Sequence, residues 1–500
     1  MTLIEAGLAG PSPVTIDGEP TTFAAPLDEN PLMWVNFLGD VMTRRFFDTR
    51  IFDLYYRGDH RLPWGPTPTT SSVYRRLLKE ARSNWAELIV DAVNERLRVI
   101  GFRWSGTEDA DLDVWNNIWQ PNSLDARSDE VHVESLVYGY GYTLIWPDST
   151  SDNIKITAEH PNEVICYSPT SDRHLVTAAL KRWCDDWGQW HATLFTTSAI
   201  YKFTSAASVV GGSAMPPTTW LVKEDTAEPW PLPNPFGVVP VVEFPNNPRM
   251  LTGGRSELAG GQIDMMDRIN ETIFNRMLAA QFAAFRQKWV TGMEIPRDNE
   301  GNPIEPFRVA VDRLWMTENP EAKFGEFDEA SLTNYIAAAE ADIQHLAAIS
   351  RTPAHYLLPH GPMPSGEALK AAETGLVAKV KRRQRFFGEA WEQTLRYALL
   401  MQGDPRWTDM SGETLWADPE SRSDAQTADA LVKLAQIGVP AQMLWELSGF
   451  FSPQQIERMI QQRADEALLF GTPQLLHAAG PAGMTGAVPV QPPPIASVGP

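Results

Sequence analysis

Three aspartates, Asp109, Asp111 and Asp113, alternate in "DADLD" as calcium ligands do at the start of an EF-hand loop. The sixth loop position is Val114, where a glycine must make the turn. The twelfth is Gln120, where a bidentate glutamate belongs. The stretch therefore reads as a solvated acidic loop. "GRSELAG" is similar to a hydrolase nucleophile turn, but Leu258 stands where the last glycine of G-x-S-x-G is needed. "GYGY" at 139–142 lacks the third glycine of a dinucleotide-binding turn. No phosphate-binding G-x-x-x-x-G-K-[ST] and no zinc-binding H-E-x-x-H occurs. The nine histidines show no ligand spacing, and His355 and His360 merely flank a proline-rich loop. The search argues against an enzyme, and no cofactor or metal is expected. One cluster remains: Lys379, Lys381, Arg382, Arg383 and Arg385 fall within seven residues of a chain whose formal charge is -21.

That acidity speaks against general nucleic-acid binding, because a protein that grips phosphates wants a basic surface. At 500 residues, 43% apolar and with 18 Trp and 21 Phe, the chain has material for two to four folded cores. Cys166 and Cys184 are too few for a disulfide framework and fit a reducing compartment. The N-terminal "MTLIEAGLAGPSPV" lacks the features of a signal peptide, and no apolar run reaches membrane-spanning length.

The elements that must position these residues change along the chain. Residues 1–28 read as a loose arm. Helices are expected over 33–58 and 84–97, the second with Asn84 as N-cap. Strand-like runs follow, from "RVIGFRW" and "VYGYGYTLIWPD" to "VVPVVEF", so the first half is α+β. From Ser256 to Arg286, Leu258, Met265, Met266, Ile269, Ile273, Met277 and Phe282 recur at helical steps, in a helix roughly 45 Å long. Turns and short strands occupy 287–327, and a second helix spans 328–350. "RTPAHYLLPHGPMPSG" breaks that helix with four prolines, and a long basic helix begins after it. On a helical wheel, Leu369, Ala372, Leu376, Val380, Phe387, Trp391, Leu395 and Ala398 form one core stripe. Lys379, Lys381, Arg382 and Arg385 lie on the remaining arc, with Arg383 at its edge, so they are expected to be exposed. Residues 423–467 hold at least two more helices. The tail 471–500, nearly uncharged and rich in Pro, Gly and Ala, is expected to be disordered.

In order and spacing, the stretches "YYRGDHRLPW" (55–64), "NWAELIVDAVNERLRVIGFRW" (84–104), "LVYGYGYTLIW" (136–146), "VPVVEFPNNPRM…GRSEL" (239–258), "IDMMDRINETIFNRM" (263–277) and "SRTPAHYL…SGEALKAAETGLVAKVKRRQRFFGEAWEQ" (350–393) resemble the portal proteins of tailed bacteriophages of the siphophage type. The resemblance covers roughly 35–465. It implies an α+β portal-type fold in a ring, usually of twelve subunits, at one capsid vertex. That ring is the channel for DNA packaging and ejection, without sequence specificity. It implies a virion protein assembled in the bacterial cytoplasm. The implied partners are double-stranded DNA, the large terminase, a head-tail adaptor, and the major capsid and scaffolding proteins, with no membrane.

Carried over by residue, the resemblance implies a flexible arm over 1–29 and a wing over 30–255. Stem helices would span 256–286 and 328–351, with a clip at 287–327 between them. A tunnel loop would occupy 352–365, a long wing helix 366–404, a helical crown 405–470 and a tail 471–500. Glu329, Glu340 and Asp342 would line the channel. His355, Tyr356, His360 and Met363 would sit on the tunnel loop. Trp289, Phe307 and Trp315 would be clip contacts, unless they form the clip's own small core. The other reading is a non-ring phage head structural or adaptor protein.

Charge agrees with a conduit. Residues 324–350 contain no Lys or Arg but include Glu326, Asp328, Glu329, Glu340 and Asp342. An acidic lining would let DNA slide where a basic one would hold it. The six alanines of "YIAAAEADIQHLAAIS" would let helices approach closely, although alanine also favours helix by itself. The basic cluster at 379–385 has three possible neutralisers: the acidic surface of a neighbouring subunit, DNA, or solvent alone. The overall charge favours the neighbour.

Overall fold

The computed structural model of the chain describes residues 30–60, 72–104, 112–148, 153–206, 216–217, 219–223, 229–283, 288–292, 321, 323–326, 331–358, 365–420, 424–448, 450–451 and 453–470, together with the short paired strands β1 (Thr15–Ile16) and β2 (Glu19–Pro20). Helix α1 (Pro31–Tyr56) starts two residues before the expected Met33 and ends two residues before the expected Gly58. Asn30 caps it by accepting from the Met33 amide at 3.1 Å, and Pro31 tolerates the first helical position because no intrahelical bond is lost there. Helix α2 (Ser72–Glu80) precedes α3 (Trp85–Asn94), whose N-cap is Asn84 as expected. Strand β3 (Val99–Arg103) is followed by a short helix α4 (Leu112–Val114), which runs into a π-turn, Trp115–Trp119.

Helix α5 (Leu124–Tyr138) ends at Gly139, whose φ of 90° only glycine adopts readily. Strand β4 (Tyr140–Pro147) begins at once, and a Cβ on Gly141 would meet the Val131 carbonyl oxygen at 2.5 Å. The glycines of "GYGY" thus stop a helix and let a strand pack on it; the turn is structural.

Strands β5 (Ile154–Glu159), β6 (Val164–Tyr167), β7 (Ala178–Cys184), β8 (Trp190–Thr196), β9 (Ala199–Ser205), β10 (Trp220–Val222), β11 (Leu232–Pro233) and β12 (Val241–Pro245) follow. Strands β6 to β10 form an antiparallel meander, with β11 added on β9, and a second antiparallel sheet runs β12-β4-β5. The expected α+β class is met.

The second half supplies α6 (Gln262–Ala283), the antiparallel pair β13 (Lys288–Thr291) and β14 (Lys323–Glu326), α7 (Leu332–Ser350), α8 (Ala354–Leu357) and α9 (Gly366–Gln402). Then come β15 (Glu413–Trp416), paired with β3, and helices α10 (Asp424–Gln436), α11 (Ala441–Ser448) and α12 (Pro453–Phe470). The helix expected from Ser256 starts only at Gln262, because Gly260 and Gly261 take φ values of 96° and 93°.

The main core lies under α9. Phe387 and Trp391 are fully buried, and Trp391 packs edge-on against Phe244 of β12 and Trp119, with centroids 4.7 and 5.0 Å away. From Leu376 onward the expected stripe of α9 is buried, whereas Ala372 is exposed, so the first turns of α9 run clear of the core. A second core sets Val35, Leu38 and Met42 of α1 against Leu180, Leu194 and Phe203 of the meander.

Candidate functional site: a helix pair rooted on buried charges

Helices α6 and α7 pack side by side, with Met266 and Ile269 of α6 and Ile343, Leu346 and Ala347 of α7 in one core cluster. The small Ala339 and Ala347, both buried, keep the contact close. Across it, Arg268 pairs with Asp342 at 2.6 Å. The opposite face of α7 is exposed, Glu340 included. The start of α6 and the end of α7 meet at the same place, so the helices are antiparallel. Their other ends lead to β13 and β14.

The meeting place is built on Glu257, five residues before α6. Its side chain is 4% exposed and is gripped by two cations of α9. Lys379 Nζ lies 2.8 Å from it, and Arg383 donates from Nε at 2.8 Å and from its terminal nitrogen. Burial by itself raises the Glu257 carboxyl, but Lys379 and Arg383 outweigh it and hold the group below the usual carboxylate range. Burial lowers the Lys379 ammonium, and its attraction to Glu257 only partly offsets this. Lys379 also donates to the Ser350 carbonyl at 2.9 Å, at the C-terminus of α7, where the helix dipole favours a cation. Asn246, after β12, completes the cradle: it donates to Glu257 at 3.2 Å and to the Arg255 carbonyl at 2.7 Å, and accepts from Arg383 at 3.1 Å. One buried carboxylate thus ties the root of α6, the end of α7, α9 and the β12 sheet together.

A second cluster holds the turn after α7. Tyr356 on α8 accepts from Arg96 at 2.7 Å and donates to Glu373 of α9 at 3.2 Å, while Arg96 and Glu373 pair at 3.3 Å. His355 Nε2 stands 3.9 Å from the same carboxylate. Burial pushes the Tyr356 hydroxyl above its ordinary range.

This arrangement offers no reacting atom beside a base. It offers an antiparallel helix pair anchored on buried charges where α6 starts and α7 ends, with Phe274 of α6 packed further along on Leu77 and Leu78 of α2. The family model described as phage portal protein, SPP1 Gp6-like, matches residues 42–467. The chain belongs to that family. A portal protein of Mycobacterium phage L5 is 29% identical over 396 residues, covering 76% of this chain and 77% of that protein. A portal protein of Mycobacterium phage D29 is 29% identical over 370 residues, covering 71% and 72%. Among the described residues of this portal chain, no helix is long and apolar enough to cross a membrane.

The expected site residues separate on this frame. Glu340 is exposed on α7, but Asp342 is already paired with Arg268 inside the subunit. His355 and Tyr356 are half-buried and held by Glu373. Trp289 falls on β13, opposite Gly325 of β14. Glu329, Phe307, Trp315, His360 and Met363 lie outside the described residues, as do Asp109 and Asp111, while Asp113 pairs with Arg406 at 2.6 Å.

The basic cluster requires a correction. Lys379 and Arg383, expected on the exposed arc, are 5% and 6% exposed and are spent on Glu257. They lie four residues apart, so they share one line of α9 directly beside the apolar stripe. The wheel alone gave them no carboxylate to meet, because Glu257 is over a hundred residues away in sequence. Only Lys381, Arg382 and Arg385 are exposed. Lys381 pairs with Glu420 at 3.1 Å, and Arg382 sits 5.9 Å from the Phe386 ring centroid. Sequence reasoning also missed Arg96, Glu373 and Asn246, for which no motif stands out.

Proposed function

We propose that this portal-family chain is the subunit of a closed ring at a capsid vertex, through whose channel double-stranded DNA is packaged and ejected. The observation that supports this most is the rooted helix pair. An antiparallel pair anchored by buried charges where α6 starts and α7 ends, with residues 287–327 inserted between its other ends, suits a stem carrying a clip. On this reading 30–255 is the wing, α6 and α7 are the stem, 352–365 is the tunnel loop, 366–404 is the long wing helix and 405–470 is the crown. Residues 1–29 are an arm and 471–500 a tail.

Charge supports the channel. Helix α7 is roughly 29 Å long and would face about 17 duplex phosphates at one per 1.7 Å. Residues 324–350 present no cation to them, and Glu340 is exposed. A surface that binds few phosphates lets DNA slide. The clip is the projecting part and so the docking platform for the large terminase and later the head-tail adaptor. The major capsid and scaffolding proteins would surround the ring.

Negative-stain microscopy of the purified protein is the deciding experiment, with rings bearing a central hole expected. Light scattering that finds only monomer across salt and protein concentration would refute the ring and leave the non-ring head-protein reading.

A further inference from the structure

A groove of about 890 Å³ opens between α3, β3, α5 and the turn joining α11 to α12. Its lining is mainly acidic: Glu95, Asp125, Asp129 and Glu130 are all exposed there, against one exposed cation, Arg98. Its far wall carries Phe450 and Phe451, 48% and 37% exposed. Asn94, the last residue of α3, also lines it and is 7% exposed. Its amide nitrogen donates to Asp129 at 2.5 Å, while its Oδ1 is buried with no hydrogen-bond partner. That acceptor oxygen still lacks a donor, and four carboxylates against one arginine leave the groove with acceptors for a further cationic donor. Aromatic faces beside them suit a guanidinium, which stacks as well as donates.

The same molecule carries the complement. Arg382 and Arg385 stand exposed on α9, one residue before and two residues after the buried Arg383. We propose that the groove of one copy receives Arg382 and Arg385 of a second copy. Because the two patches differ, the contact can repeat head-to-tail, the arrangement that closes into a ring or runs on as a filament. The inference rests on the ring reading and adds the surfaces that form its seam.

Charge reversal on each side, followed by mixing, tests it. Arg382→Glu/Arg385→Glu and Glu95→Lys/Glu130→Lys alter only exposed positions, so both variants should fold. The first sets acid against acid and the second leaves the arginines facing lysines in a groove stripped of its net negative charge, so each should assemble at least about tenfold more weakly than the parent, a loss of about 1.4 kcal/mol per contact. An equimolar mixture should regain assembly, because in alternation the new glutamates meet the new lysines and the unaltered arginines meet an unaltered acidic groove. Light scattering and negative stain read the outcome. Normal assembly by either single-patch variant overturns the proposal, and so does a mixture that stays dissociated. If the unaltered protein itself forms no ring or filament, the ring reading fails first. If the arginine variant assembles normally but rings lose DNA, α9 serves DNA and not the seam.

Discussion

Glu257 carries an unusual share of this structure. Two buried cations meet one buried carboxylate, so the site holds a net positive charge that hydrogen bonds to the Ser350 and Lys379 carbonyls and to Asn246 help to settle. Glu257→Gln would leave two buried cations without a counter-ion and should cost roughly 3–5 kcal/mol, read by denaturant unfolding. A loss under about 1 kcal/mol would mean that the triad anchors nothing. His132 makes a different residue-scale prediction. It is fully buried, stacked on Phe387 and accepts from the Trp391 indole at 2.9 Å. Burial lowers its pKa to about 3. Between pH 6.5 and about 3 the unfolded chain therefore binds a proton that the native state does not, so this stability is present above 6.5 and is lost as pH falls. The stability gap between the parent and His132→Gln should narrow over that range. Glu134 has the opposite sign: burial, with Asp53 and Glu130 nearby, raises it to about 7. Native Glu134 keeps a proton that the unfolded chain releases above 4.5, so Glu134→Gln should gain on the parent as pH rises from 4.5 to 7. Gaps that stay constant with pH would contradict either assignment.

At the scale of elements, packing and charge contribute unequally to the α6–α7 pair. Arg268 is half exposed, so its bond to Asp342 is screened, and a double-mutant cycle should return less than about 1 kcal/mol. Leu346 is fully buried between the helices, and Leu346→Ala should cost roughly 2–5 kcal/mol. Urea titrations of the five proteins decide the order, and a larger coupling than cavity cost would reverse it. The turn after α7 is held by one phenol shared between Arg96 and Glu373. Tyr356→Phe should speed amide exchange over 352–358 and the first turns of α9 while hardly moving global stability. Unchanged exchange there would show that the ion pair of Arg96 and Glu373 suffices without it.

For the molecule as a whole, the net charge of -21 makes association unfavourable unless a local patch overrides it. A seam made by Arg382 and Arg385 is partly screened over about 8 Å at physiological salt, so the proposed assembly should loosen as salt rises. Replacing Arg383 together with them would confuse the test. Glutamate there would set a second buried carboxylate against Glu257, and the expected result is unfolding, not a free subunit. Deleting 290–325 addresses the proposed clip: terminase and adaptor binding should vanish while the sheets still melt cooperatively. Retained binding would move the docking site elsewhere.

Periodicity was enough to find α6, α7 and α9, because a helix that buries one stripe must repeat it every three to four residues whatever lies opposite. The strands of the meander were legible for the same reason, and Asn84 announced the start of α3 through its own cap. The family was legible too, in the order of stretches such as "LVYGYGYTLIW" and "IDMMDRINETIFNRM". What only tertiary structure decided was which charges are free. Lys379, Lys381, Arg382, Arg383 and Arg385 look alike in sequence, but Glu257 takes two of them into the core and leaves three outside. In the same way Arg268 takes Asp342, and Glu373 takes Tyr356. A charge is buried or exposed according to the partner it meets, and that partner is set by the fold, not by its neighbours in the chain.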